Sequence, residues 1–252
     1  MKFITVKMRN IVFTVAALTV LCVLVVSVSG TNASGVWLGK TPRKMPIHSV
    51  DLEEKLVALT FDAFDDEETM SAVLTVLEDG GIPATFFVSG FWAHNNAETL
   101  KRMSEADIEI GTKGNTLTQM SRLGASAARL ELETGIKAVE EITDRRVELF
   151  RPPFGEYSDT LINAADDMGL YIVKWDINAE IQTSQNIASN VLPKVKNGSI
   201  IYLSNDRPIT AQSLTLIIEG IKNKGYDFVA AGDLIHRENY TINHEGRQVR
   251  QA

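Results

Sequence analysis

Two segments of the chain carry residues that can do chemistry. KLVALTFD, Lys55–Asp62, ends an apolar run on a carboxylate, and RPPFG, Arg151–Gly155, opens on an arginine. A carboxylate at the end of a buried strand can take a proton from water as a general base. It can equally cap the helix that follows or pair with a cation. Arg151 carries the fork that matches a carboxylate, and it can also satisfy strand-end carbonyls. Pro152 and Pro153 fix the backbone beyond it and cannot extend a helix, so they shape the mouth of any site. Metal chemistry lacks an evident ligand set. The four histidines, His48, His94, His236 and His244, are scattered, and the single cysteine, Cys22, lies in an N-terminal apolar run. Neither a disulfide within the chain nor a cysteine-based zinc site can form.

Elements that position these residues are legible as a pattern. Short runs rich in Val, Ile, Phe and Tyr predict strands over Leu56–Phe61, Ala84–Val88, Glu109–Gly111, Glu148–Phe150, Tyr171–Lys174, Ser199–Leu203 and Phe228–Ala230. Between them, apolar residues at helical spacing predict helices. Met70, Val73, Leu74 and Leu77 mark Glu67–Glu78, and further helices are expected over Ser126–Ile142, Asp159–Met168, Asn186–Val195 and Ala211–Asn223. Gly80, Gly169 and Gly225 fall where helices should stop. Such alternation implies a parallel sheet covered by helices. A (β/α) barrel and an open doubly wound sheet both fit it. No GxxxxGK loop or GxGxxG fingerprint follows the first strand, which argues against nucleotide binding.

With 252 residues, 44% of them hydrophobic and 23% charged, the chain can bury a full domain core. A net charge of −7 does not suit a phosphate-backbone binder, so no nucleic-acid partner is expected. Ile11–Ser29 carries no charge and follows Lys2, Lys7 and Arg9. A run of this length can span a bilayer, with the basic flank inside and the remainder extracytoplasmic. The small residues of Ser27–Ser34 would also suit cleavage, which would leave a secreted protein. The expected organisation is residues 1–30 as membrane anchor or signal segment, 31–50 as linker, 51–236 as the folded domain and 237–252 as a loosely ordered polar tail.

Taken in order, LTFD (Leu59–Asp62), ATFFVSG (Ala84–Gly90), EIGTKGNT (Glu109–Thr116), RPPFGEYS (Arg151–Ser158), the strand around Trp175 and IIYLSND (Ile200–Asp206) resemble the NodB-homology polysaccharide deacetylases, carbohydrate esterase family 4. The resemblance runs over about Lys55–Ile235. It implies an α/β fold, a deformed (β/α) barrel of the NodB-homology type with its site at the strand C-termini, here preceded by one N-terminal transmembrane or signal-anchor helix. It further implies a hydrolase acting on the amide C–N bond of N-acetylated cell-wall sugars such as peptidoglycan, with a divalent metal such as zinc.

The chain departs from that pattern at the metal. The resemblance assigns Asp62 as the base and Arg151 as its partner. The family's metal-binding aspartate falls on Ala63, its two histidines on Lys113 and Leu117, its acid histidine on Ser204, and the carboxylate that supports the arginine on Ile181. Catalytic zinc needs about three protein ligands and one open position, and a methyl, an ammonium and an isobutyl group supply none. No bound cofactor is therefore expected. Lys113 is read either as a solvated surface lysine or as a cation that pairs with Asp62 in place of the metal. Pro152, Phe154, Gly155, Tyr157 and Trp175 are the candidate glycan contacts. Histidine-poor members of this kind resemble a sporulation-associated branch of the family. Two functions fit: a deacetylase of cell-wall glycan, or a catalytically inactive glycan-binding or structural protein of the envelope or spore wall.

Overall fold

The computed structural model describes residue 19 and residues 44–63, 65–179, 187–203 and 211–251. Contacts divide the chain at Arg43, and the unit from Lys44 to Ala252 is described by itself. The apolar run Ile11–Ser29 lies outside the described residues, apart from Thr19, as does most of the expected linker. Among the described residues, no helix is long and apolar enough to cross a membrane.

The fold is a mixed α/β half-barrel. Its central strands are parallel: β2 (Leu56–Asp62), β3 (Ala84–Val88), β4 (Glu109–Thr112), β5 (Leu149–Phe150), β6 (Tyr171–Ile172) and β8 (Ser199–Leu203), with β8 beside β2 and β3 to β6 following in sequence order. Short parallel strands β7 (Ile177–Ala179) and β9 (Asp227–Phe228) add to β8 and β2. Helices α1 (Glu67–Gly80), α2 (Gly90–Asn95), α3 (Ala97–Glu105), α4 (Ala125–Thr143), α5 (Asp159–Asp166), α6 (Ile187–Val191), α7 (Ala211–Asn223) and α8 (Ala231–Leu234) alternate with the strands.

Strand alternation gives the sheet two buried faces. Leu59, Phe61, Phe86 and Val88 point to the helices and pack on Met70, Val73, Leu74 and Leu77 of α1. Each such fully buried side chain contributes roughly 1.5–3 kcal/mol. The other face carries Ala58, Phe87, Leu149, Val173 and Ile200, along with polar Thr60, Asp62 and Arg151, all buried. Polar residues on this inner face are the ones that build the site.

Three expectations are corrected by the structure. Residues 44–50 are not a free linker: Ile47 bridges Val173, and β1 (Ser49–Val50) joins the sheet beside β8. The polar tail is not loosely ordered either. It forms a hairpin of β10 (Tyr240–Ile242) and β11 (Arg247–Arg250), and β11 pairs with β1. Gln248 is the physical reason: its buried side chain accepts from His236 N and donates to His236 O, both at 2.8 Å. Finally, the left-handed stop after α1 is Gly81, at φ 56°, with Gly80 still helical; Gly169 and Gly225 do hold left-handed φ.

Candidate functional site

Strand register explains why Asp62, Lys113 and Arg151 meet. Asp62 lies level with Phe87, and Phe87 with Gly111. Lys113 follows Gly111 by two residues and so returns to the same face. Thr112 pairs with Phe150, which sets Arg151 beside Lys113 at the C-terminal ends of β5 and β4. Gly111 keeps the space open, because a Cβ there would sit 2.6 Å from the Phe87 ring.

Asp62 is held from two sides. Lys113 Nζ donates to Asp62 Oδ2, and Arg151 Nη1 donates to Oδ1 at 3.3 Å. The Tyr202 hydroxyl lies 3.3 Å from Oδ2. All three charged side chains are largely out of solvent: Lys113 is 12% exposed, Asp62 8% and Arg151 0%. Of the two readings of Lys113, the structure selects the pair with Asp62.

Arg151 is fixed as few surface arginines are. Its Nη2 donates to Thr60 Oγ1 at 2.8 Å and to Lys174 O at 3.1 Å, and its Nε to Val173 O at 3.3 Å. The guanidinium lies 4.0 Å over the Phe87 ring and within reach of Trp175 and Tyr202. Burial pulls its pKa down, and the Asp62 charge opposes that. Ile181, the position that the resemblance gives to a supporting carboxylate, lies outside the described residues; among the described residues, Asp62, Thr60, two carbonyls and ring faces hold the guanidinium.

The aromatic wall comes from Trp175 and Tyr202, stacked with centroids 4.2 Å apart. Phe154 stands at the rim, 71% exposed and left-handed at φ 59°. Pro152 and Pro153 are buried beneath it. Gly155 is left-handed too, and a Cβ there would meet Trp175 at 3.0 Å. Tyr157 is turned partly into the fold, with its hydroxyl 3.2 Å from Met45 Sδ. Ala63 is half-buried and its N–H donates to Phe87 O. Leu117 sits on the loop after β4, 44% exposed and left-handed at φ 55°. Ser204 lies outside the described residues. The sequence reading did not single out Thr60 or Phe87. Their signal was there: both share the inner face with Asp62 by simple alternation.

A metal does not fit this donor set. Among the described residues, no group of three or more His, Cys, Asp or Glu side chains could hold one. Among the described residues, the carboxylate at the centre, Asp62, is already bound by two cations.

This half-barrel, with an acid and an arginine at its strand ends, is the architecture of a deacetylase-type carbohydrate esterase. The family model described as polysaccharide deacetylase matches residues 49–173, a narrower span than the motifs suggested. A peptidoglycan-N-acetylglucosamine deacetylase of Bacillus cereus is 30% identical over 192 residues, which cover 72% of this chain and 89% of that protein. The chain belongs to the polysaccharide deacetylase family. It spans 57% of the YlxY protein of Bacillus subtilis, at 27% identity, and 32% of a bifunctional xylanase/deacetylase of Pseudobutyrivibrio xylanivorans. Among solved structures, a mutant of BA3943, a family 4 pseudoenzyme with restored enzymatic activity, superposes with a TM-score of 0.70 at 25% identity, covering 76% of this chain and 71% of that one. The family is metal-dependent, and a family 4 acetyl xylan esterase of Clostridium thermocellum was solved with a cobalt ion; it superposes with a TM-score of 0.65 at 29% identity, covering 71% of this chain and 90% of that one.

Proposed function

We propose that this chain binds N-acetylated cell-wall glycan in the cleft at the strand ends without metal-dependent hydrolysis. One observation carries the reading: the Lys113 ammonium is bonded to Asp62. A carboxylate that neutralises two cations is a poor base, because taking a proton would leave both cations unpaired in a site with little water. Nothing at Ala63, Lys113 or Leu117 supplies the Lewis acid that would polarise an amide carbonyl. The Trp175 and Tyr202 rings are both half-buried and are the aromatic side chains at the strand ends that could pack on a sugar ring.

Relatives support the substrate class. The Bacillus cereus relative is named for peptidoglycan N-acetylglucosamine, and another from Bacillus subtilis for peptidoglycan N-acetylmuramic acid. The placement belongs to the same proposal: Ile11–Ser29 anchors the chain and the domain works outside the membrane, at the cell or spore wall.

The test uses full-length protein, purified peptidoglycan and chitin oligosaccharides. Binding that persists in chelator, with no acetate released, is the expected result. Chelator-sensitive acetate release would replace the reading with an enzyme. Fractionation of cells then shows whether the protein remains with the membrane, as the anchor requires.

A further inference from the structure

We infer that the cleft floor is a carboxylate site, with Lys113 Nζ as the donor that faces the ligand. The proposal deepens the glycan reading by naming the group that the glycan must carry.

Charge counting comes first. Two cations, Lys113 and Arg151, share the single carboxylate of Asp62. Among the described residues, the cluster therefore keeps one positive charge in excess. An uncompensated charge with so little exposure is costly, and a bound anion would offset that cost.

Donor counting points the same way. An ammonium has three N–H donors. Among the described residues, Lys113 Nζ uses one, on Asp62. Its side chain retains 12% exposure, where that of Arg151 retains none. Arg151 has no such reserve of access, since it is fully buried and its fork is already engaged by Thr60, Val173, Lys174 and Asp62.

The excess of one charge selects the kind of anion. A monoanionic carboxylate balances it. A dianionic phosphate would overshoot and face Asp62 directly. The half-buried Trp175–Tyr202 stack accepts a carbon skeleton next to the charge. An N-acetylated sugar acid combines the ring, the acetamido group and the carboxylate, and a free small carboxylate supplies the last alone.

Affinities of full-length protein for N-acetylmuramic acid and for N-acetylglucosamine, which differ by a lactyl carboxylate, make the test. In parallel, the melting temperature is read in sodium acetate against sodium chloride at equal ionic strength. Expected are a preference of about tenfold or more for the acid sugar, competition by acetate, and a rise in melting temperature with acetate. Lys113→Met should abolish the preference and Lys113→Arg should retain it; the wild-type acetate measurement stands even if the Met variant fails to fold. Equal affinities with no acetate effect overturn the proposal, as does a preference that survives in a folded Lys113→Met. Equal affinities with an acetate effect assign the pocket to free carboxylates. If neither sugar binds, the glycan reading fails alone and the acetate arm decides this one.

Discussion

Lys113 and Asp62 form an ion pair across the ends of two strands that are not neighbours, with β3 between them. The pair reaches over Phe87, whose ring lies beneath Arg151. Asp62 is thus held by a second cation, Lys113, in addition to the arginine that the family pattern pairs with it.

Zinc binding follows directly. Wild-type protein titrated with zinc should show no tight one-to-one binding in calorimetry. Ala63→Asp with Lys113→His and Leu117→His should create it, because an aspartate and two histidines then stand at the positions that the family pattern gives to its three metal ligands. Tight binding by the wild type, lost in Asp62→Asn, would mean that another ligand set exists.

Arg151 should be a stability residue. Replacing it with Met removes one partner of a buried ion pair and leaves Thr60 and two carbonyls without their donor. A loss of about 3–5 kcal/mol is expected in urea denaturation. Arg151→Lys should lose a large part of that too, since an ammonium cannot reproduce the fork. A loss below about 1 kcal/mol would show that the buried fork contributes little net stability.

Leu117 should be improvable. Leucine at φ 55° is strained by roughly 1–2 kcal/mol relative to ordinary backbone. Leu117→Asn should therefore raise stability by about 0.5–1 kcal/mol, since asparagine tolerates the left-handed region. A neutral or destabilising result would mean that the exposed leucine makes contacts worth the strain.

His48 should make the fold acid-sensitive. Its Nε2 is buried without a hydrogen-bond partner among the described residues. Burial, and then the charge of Lys174, push its pKa down to about 4 from 6.5. Between those values the unfolded chain takes the proton and the folded one does not, so stability falls as pH drops through that window. Glu109 and Asp176, whose pKa values burial raises, act in the opposite sense. Thermal melts from pH 7 to 4 should thus show a smaller decline in His48→Gln than in wild type, and equal slopes would count against His48.

Strands β2, β3 and β8 were legible because each is a nearly unbroken apolar run buried on both faces. β1 (SV), β7 (INA) and β11 (RQVR) were not, because they carry polar residues, whereas the equally short β5 (LF) and β6 (YI) are wholly apolar. RQVR, Arg247–Arg250, also looks like a solvated tail until Gln248 is seen locked to the His236 backbone. In the site, Asp62, Lys113 and Arg151 could be placed by motif position. Thr60 could have been found by counting back two residues from Asp62. The Tyr157–Met45 contact could not, because 112 residues separate the partners and no pattern links them.

Ile47 donates to Ile172 O at 2.8 Å and accepts from Lys174 N at 2.7 Å, just before the chain enters β1. This stitch gives the domain a mechanical polarity. A pull on the N-terminus would first load the hydrogen bonds that hold residues 47–50 against β6, β8 and β11, leaving the Asp62 cluster to yield later. A protein tethered at that end would thus carry load first at this seam, and a cut between Val50 and Leu56 would separate the strand that joins β11 to β8 from β2.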